Sequence, residues 1–203
     1  MKLLFRLFTI AAVLILTIAS CATYHLGQFQ YTHRPHYEGR ARDIPIWVDE
    51  DLGEADKVAI DDAVARWNYA LNGHIYLHIV DTHFAMELSK VEKQQQLNGW
   101  LFLKIRSDGD IQPPTNNTMA FCDKVGGNRL YLVRDKLSND KIFGVTLHEI
   151  GHLLGSRHND GGLMFQDYYP ILYQCIDYDT VKNVADYQGL SADYLNYCYD
   201  KEM

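Results

Sequence analysis

The chain has 203 residues, of which 47% are apolar and 22% charged, with a formal net charge of −7. That length suits one domain with a real core and is short for two, and the ordinary apolar and charged fractions argue against disorder as the default. The negative balance argues against nucleic acid as the main partner.

The first twenty residues read as an export signal. Lys2 and Arg6 precede a nearly unbroken apolar run, Leu7 to Ile18, with no acidic residue. The run ends in Ile18-Ala19-Ser20-Cys21, which resembles the bacterial lipobox. That resemblance implies cleavage before Cys21, lipidation of Cys21, and, with Ala22 following, sorting to the outer membrane. A plain signal peptide and an uncleaved anchor helix are the alternatives. Acyl chains on Cys21 would make membrane anchoring stable, since each buried methylene adds about 0.8 kcal/mol. Residues 21–43 are polar and carry His25, His33 and His36. They read as a tether between lipid and domain rather than as a metal site. The domain itself is expected over 44–203.

Ile44 to Val48 predicts a first strand, with Pro45 marking its start or an edge. Glu54 to Leu71 predicts an amphipathic helix, because Ile60, Val64, Trp67 and Leu71 recur on one face, and Asn72-Gly73 ends it. Ile75 to Val80 and Trp100 to Ile105 are strand candidates, with polar Glu87 to Gln96 between them as a loop or short helix. Ser107 to Asn117 reads as a loop. Thr118 to Cys122 and Leu130 to Val133 predict short strands joined through Gly126-Gly127. Asn139 or Asp140 can cap the next helix, whose core stripe is Phe143, Leu147, Ile150 and Leu154, stopping at Gly155. A last helix is expected from about Asp179 to Tyr187. Strand, helix, strands, helix, helix is an α+β order.

The chemistry is concentrated in His148-Glu149-Ile150-Gly151-His152-Leu153-Leu154-Gly155-Ser156-Arg157-His158. On a helix, His148 and His152 fall on one face one turn apart, a natural bite for one metal ion. Glu149 is placed to reach a water at the metal without ligating it. Gly155 tolerates positive φ, so the chain can leave the helix sharply and return His158 as a third ligand. Three protein ligands leave the fourth position open, the arrangement of a catalytic zinc rather than a structural one. Glu149 then serves as general base and later as proton donor to the leaving amine. All five fixed positions together occur by chance in a chain this long on the order of once in ten to twenty thousand.

This segment resembles the metzincin clan of zinc metallopeptidases, whose long motif is followed by a methionine turn. Gly162-Leu163-Met164-Phe165 looks like that turn, and the resemblance implies that Met164 forms an apolar floor beneath the metal. Upstream, the element order is similar to matrixin-like catalytic domains. That implies a zincin fold with a twisted mixed sheet, a long helix, an active-site helix and a small C-terminal subdomain. It also implies that an edge strand, here Thr118 to Cys122, pairs with an extended substrate. The chain departs from the matrixin pattern at Asn159, where serine is usual, in a shorter interval from His158 to Met164, and at Gln166, where some metzincins place a tyrosine near the metal. Tyr168 or Tyr169 can approach instead, though wall packing is the favoured reading for both.

Other features read more plainly. Asp108-Gly109-Asp110 offers carboxylates of the kind calcium takes, and the resemblance implies structural calcium in such loops, but two carboxylates are too few and an exposed turn is favoured. His78, Asp81 and His83, with His74 nearby, could serve a second zinc, with surface histidines favoured. Cys175 and Cys198 can pair, leaving Cys122 as a buried thiol or another disulfide partner in preference to a cleft residue. Tyr187, Tyr194, Tyr197 and Tyr199 read as packing of the C-terminal part rather than a binding face. The expected function is a zinc-dependent endopeptidase acting on protein or peptide substrates at the cell envelope. The alternatives are a non-catalytic binding lipoprotein on the same scaffold, which has no need of Glu149, and a zinc hydrolase of cell-wall peptides.

Overall fold

Alternation along the strands decides which face of the sheet is buried. In strand β2 (Arg42–Val48), Ile44, Ile46 and Val48 point into the core while Pro45 and Trp47 are only half-buried. Strand β3 (Ile75–Ile79) repeats the pattern, with Ile75 and Leu77 buried and Tyr76 exposed. The computed structural model describes residues 29–80, 99–170 and 172–200. The export signal, Cys21, His25, Asp81, His83 and the polar stretch 87–96 lie outside the described residues. Among the described residues no helix is long and apolar enough to cross a membrane.

Strands β4 (Trp100–Ile105), β5 (Ala120–Cys122) and β6 (Arg129–Val133) complete a five-stranded sheet in the order β3-β2-β4-β6-β5. Every neighbour is parallel except β5, which runs antiparallel to β6 and ends the sheet. The expected α+β architecture with a mixed sheet is therefore present. Pro45 sits in a strand with neighbours on both sides, yet pairing with β4 begins only at Ile46, so Pro45 is locally at an edge. Its missing N–H costs no ladder bond there.

Helix α1 (Glu54–Leu71) buries Ile60, Val64, Trp67 and Leu71, with Ala63 and Ala70 beside them. It ends at Asn72 in the left-handed conformation, φ 49°. Asn72 also donates from its side chain to the carbonyls of Pro35 and Tyr194, each at 2.8 Å. Helix α2 (Asn139–Leu153) packs against α1. The buried Trp67 indole N–H donates to the Leu147 carbonyl at 2.8 Å, tying the two helices at the level of the histidines. Ser138, not Asn139 or Asp140, holds the position before α2. Asn139 instead accepts from Arg134. Arg134 also pairs with the buried Asp56 of α1 at 2.8 Å, so one guanidinium joins the starts of both helices. Phe143, expected in the core stripe, is half-buried. Its turn is covered by Ile142, and its ring lies 5.9 Å from the Arg66 guanidinium.

Helix α3 (Tyr178–Gln188) is capped by Asp177, which accepts from the Thr180 N–H at 3.0 Å. Within the span read as tether, strand β1 (Phe29–Tyr31) pairs antiparallel with the last strand, β7 (Cys198–Asp200). Cys198 is bonded to Cys175, and Cys122 is free.

Candidate metal centre

Helix α2 delivers His148, Glu149 and His152 to one surface, and all three are at least nine-tenths buried. Gly155 then turns the chain at φ 107°, a conformation that disfavours any side chain, and His158 comes back over the helix end. The ring-nitrogen ligand atoms of His148, His152 and His158 lie within 4.8 Å of one another. Among the described residues this is the only group of three His, Cys, Asp or Glu side chains close enough to share a metal ion.

The imidazoles are held from behind. His148 Nδ1–H donates to the Leu163 carbonyl at 2.6 Å, and His152 Nδ1–H to the Ser156 carbonyl at 2.8 Å. A carbonyl can only accept, so these bonds fix the tautomer and leave both Nε2 lone pairs for the cleft. His152 Nε2 stands 3.1 Å from His158 Nε2. Burial, with the neighbouring His152, lowers His148 to about 3; burial likewise lowers His152 to about 4 and His158 below its ordinary value. All three are neutral at physiological pH, the state a divalent metal requires. The donor set fits zinc: three convergent neutral imidazoles and no competing cation in the cluster.

Glu149 lines the same cleft, and its Oε2 is buried without a hydrogen-bond partner among the described residues. Burial raises its carboxyl to about 7, against a smaller lowering by the Cys122 thiol. A buried orphan carboxylate is costly unless something in the site uses it.

Leu163, whose carbonyl orients His148, is itself held. Its N–H donates to Asp177 at 2.7 Å, so the residue that caps α3 also fixes the turn supporting the first histidine. Met164 is fully buried in that turn, with its sulfur against α2 at Gly151. Asn159, the departure from serine, closes the short loop through its backbone, donating to the Met164 carbonyl at 3.1 Å. The Asn159 side-chain oxygen is buried with no hydrogen-bond partner among the described residues.

The cleft measures about 760 Å³ and runs between α2, β5 and the segment after the methionine turn. Tyr168 lines it, Tyr169 is exposed, and Gln166 is at the rim. The residue that sequence reasoning missed is Tyr173. Its ring stacks on His148 with centroids 4.8 Å apart and planes 12° from parallel, and its hydroxyl donates to the Phe165 carbonyl at 2.5 Å. Among 14 tyrosines nothing in the sequence singles it out, because its place depends on how the chain returns after Met164. Cys122 lines the cleft as a largely buried free thiol, bonded to the Glu149 carbonyl at 3.2 Å, and burial beside Glu149 pushes its thiol well up.

Among the described residues the other sequence candidates do not join this site. Asp108 is engaged by Arg106 at 2.9 Å, and His78 by Asp43 at 2.8 Å. His33 meets the Tyr69 hydroxyl at 2.6 Å.

No protein-family model and no curated protein matches this sequence. Among solved structures the chain is similar to archaemetzincin from Methanopyrus kandleri, at 11% identity and a TM-score of 0.43, over 68% of this chain and 87% of that one. A likeness that distant carries no argument about chemistry, which rests on the geometry of the three histidines and Glu149.

Proposed function

We propose that this chain is a zinc-dependent endopeptidase of metzincin type. One observation carries the reading: three neutral histidines converge beside a buried, unpartnered carboxylate in a cleft bordered by the end strand of a sheet. Metal storage or structural binding gives no use for Glu149, whereas hydrolysis does.

His148, His152 and His158 would hold the zinc through ring nitrogens. When bound, the metal would supply Lewis-acid chemistry, acidifying water and polarising a carbonyl. The rest falls to the chain's own groups. Glu149 Oε2, free of other partners and with a pKa near neutrality, takes a proton from the attacking water and returns it to the leaving amine. Among the described residues strand β5 pairs on one side only, and its free backbone groups can hold an extended peptide across α2. Tyr173, stacked on His148, and Tyr168 exclude water from one wall. Met164 would provide the apolar floor.

We place the enzyme at the cell envelope, lipidated at Cys21 and facing protein or peptide substrates. The signal-like residues 1–20 and the small residues before Cys21 support this. Labelling of wild type but not Cys21→Ser with a radioactive fatty acid would bear it out; equal labelling would refute it.

The decisive experiment measures bound zinc and cleavage of an unfolded protein for wild type and Glu149→Gln. Wild type should bind about one zinc and cut. The variant should keep its zinc and lose about 10²–10⁴-fold in rate. Folded protein that binds no zinc, or a variant that cuts like wild type, refutes the reading. Cleavage of cell-wall peptides but not of protein would favour the cell-wall hydrolase.

A further inference from the structure

The cleft has two chemically different ends. Its floor, α2, runs from Val145 past His148, Glu149 and His152 to the turn at Gly155. At the Val145 end the walls are Tyr168 and Tyr173, with the carboxylate of Asp167 close to Tyr173. At the Gly155 end they carry two cations, Lys124 and Arg157.

These two cations come from separate segments that the fold pins together. Gly126, in the hairpin just after Lys124, donates its N–H to the His152 carbonyl at 2.8 Å. One ring, Tyr187 of α3, lies over both segments. A Cβ at position 126 would fall 1.9 Å from the Tyr187 hydroxyl oxygen, and one at position 155 would fall 2.1 Å from its Cγ. The hairpin bearing Lys124 and the loop bearing Arg157 therefore share one aromatic plate on the His152 side. Both cations are exposed, and neither forms an ion pair among the described residues. Asp123, the acid adjoining Lys124, is turned toward its own hairpin, accepting from the Arg129 N–H at 3.3 Å. The chain carries a net −7, so two unpaired cations at one end of its cleft oppose the overall charge.

We propose that Lys124 and Arg157 form a subsite that selects an acidic side chain in the peptide substrate. This rests on the peptidase reading. Cys122 adjoins Glu149, and Lys124 lies two residues further along the chain. Lys124 sits in the turn that follows β5, past Cys122, so the selected Asp or Glu lies a few residues from the cut and not at the cut itself. The effect is a specificity of a few-fold to ten-fold that fades with salt, as for other exposed charge pairs.

The full chain loaded with zinc is given a randomised peptide library, and the cut sites are read by mass spectrometry. Asp and Glu should be enriched several-fold at one position on one side of the cut. K124E/R157E should replace them with Lys and Arg. No acidic enrichment, or the same profile in the variant, overturns the proposal. A chain that cuts nothing would count against the peptidase reading, and a second arm then judges the subsite alone. Zinc-loaded Glu149→Gln is titrated with two short fluorescent peptides, identical except that each Glu of one is Gln in the other. The Glu peptide should bind about 3–10-fold tighter at low salt, and K124Q/R157Q should erase the difference. Equal binding of the two, or binding of neither, overturns it.

Discussion

At the scale of single residues, the site is a set of groups whose charged forms are disfavoured by burial. Glu149 is raised by burial to about 7 from 4.5, so its contribution to the stability of the metal-free fold is present below about pH 4.5 and lost as pH rises through 7. His148 and His152 act in the opposite range. Their values, lowered to about 3 and about 4, give stability that is present above about pH 6.5 and lost as pH falls toward those values. Metal-free protein should therefore lose stability on acidification below about pH 6.5. Glu149→Gln should stabilise it at pH 8 by on the order of 2 kcal/mol, with little change at pH 4. Thermal unfolding of chelator-treated wild type and variant at the two pH values checks this. Equal melting temperatures at pH 8 would mean that the carboxylate is not buried as described.

At the scale of elements, the site depends on how closely α2 and the methionine turn approach. Gly151 is mid-helix, where glycine costs about 1 kcal/mol relative to alanine. The structure gives the reason. A Cβ there would lie 2.6 Å from the Met164 sulfur and 3.4 Å from the Trp67 ring, both fully buried. Gly151→Ala should destabilise the protein by about 1–2 kcal/mol net, overpacking outweighing the gain in helix propensity. It should also weaken zinc binding, since the displaced turn carries the Leu163 carbonyl that orients His148. Denaturant titration and competition with a zinc chelator measure the two effects. α3 contributes from further away. Its cap Asp177 holds Leu163, and Tyr187 covers the turn at Gly155, so both returns of the chain to the histidine cluster are braced by one helix.

At the scale of the whole molecule, the C-terminal part is tied in by the pairing of β7 with β1, by the bond of Cys198 to Cys175, two residues after Tyr173, and by hydrogen bonds of Tyr194 and Asn196 to the end of α1. The 23-residue separation closes a loop whose cross-link is worth about 3 kcal/mol by the chain-entropy argument. Cys175→Ser/Cys198→Ser should unfold at lower denaturant by about 2–4 kcal/mol, and wild type treated with reductant should follow it. A double variant as stable as wild type would show that the other ties are enough.

The sequence by itself determined most of the elements and which three histidines could come together. The helical stripe of α1 and the alternation in β2 and β3 are local patterns, legible wherever one face must be buried. The spacing of His148, Glu149 and His152 is likewise local, because one helical turn converts it into a shared face. The positive φ at Gly155 follows from its being glycine at a helix end. Tertiary structure alone decided what surrounds those groups. Tyr173 reaches His148, Asp177 reaches Leu163, and Lys124 and Arg157 reach the same end of the cleft only because distant segments pack together. Phe143 packs against the core only in part, with Arg66 of α1 beside its ring, and Asn139 accepts from Arg134, five residues before it, leaving Ser138 in the position before α2. Periodicity records which face of an element is buried, and it carries no record of which neighbour buries it.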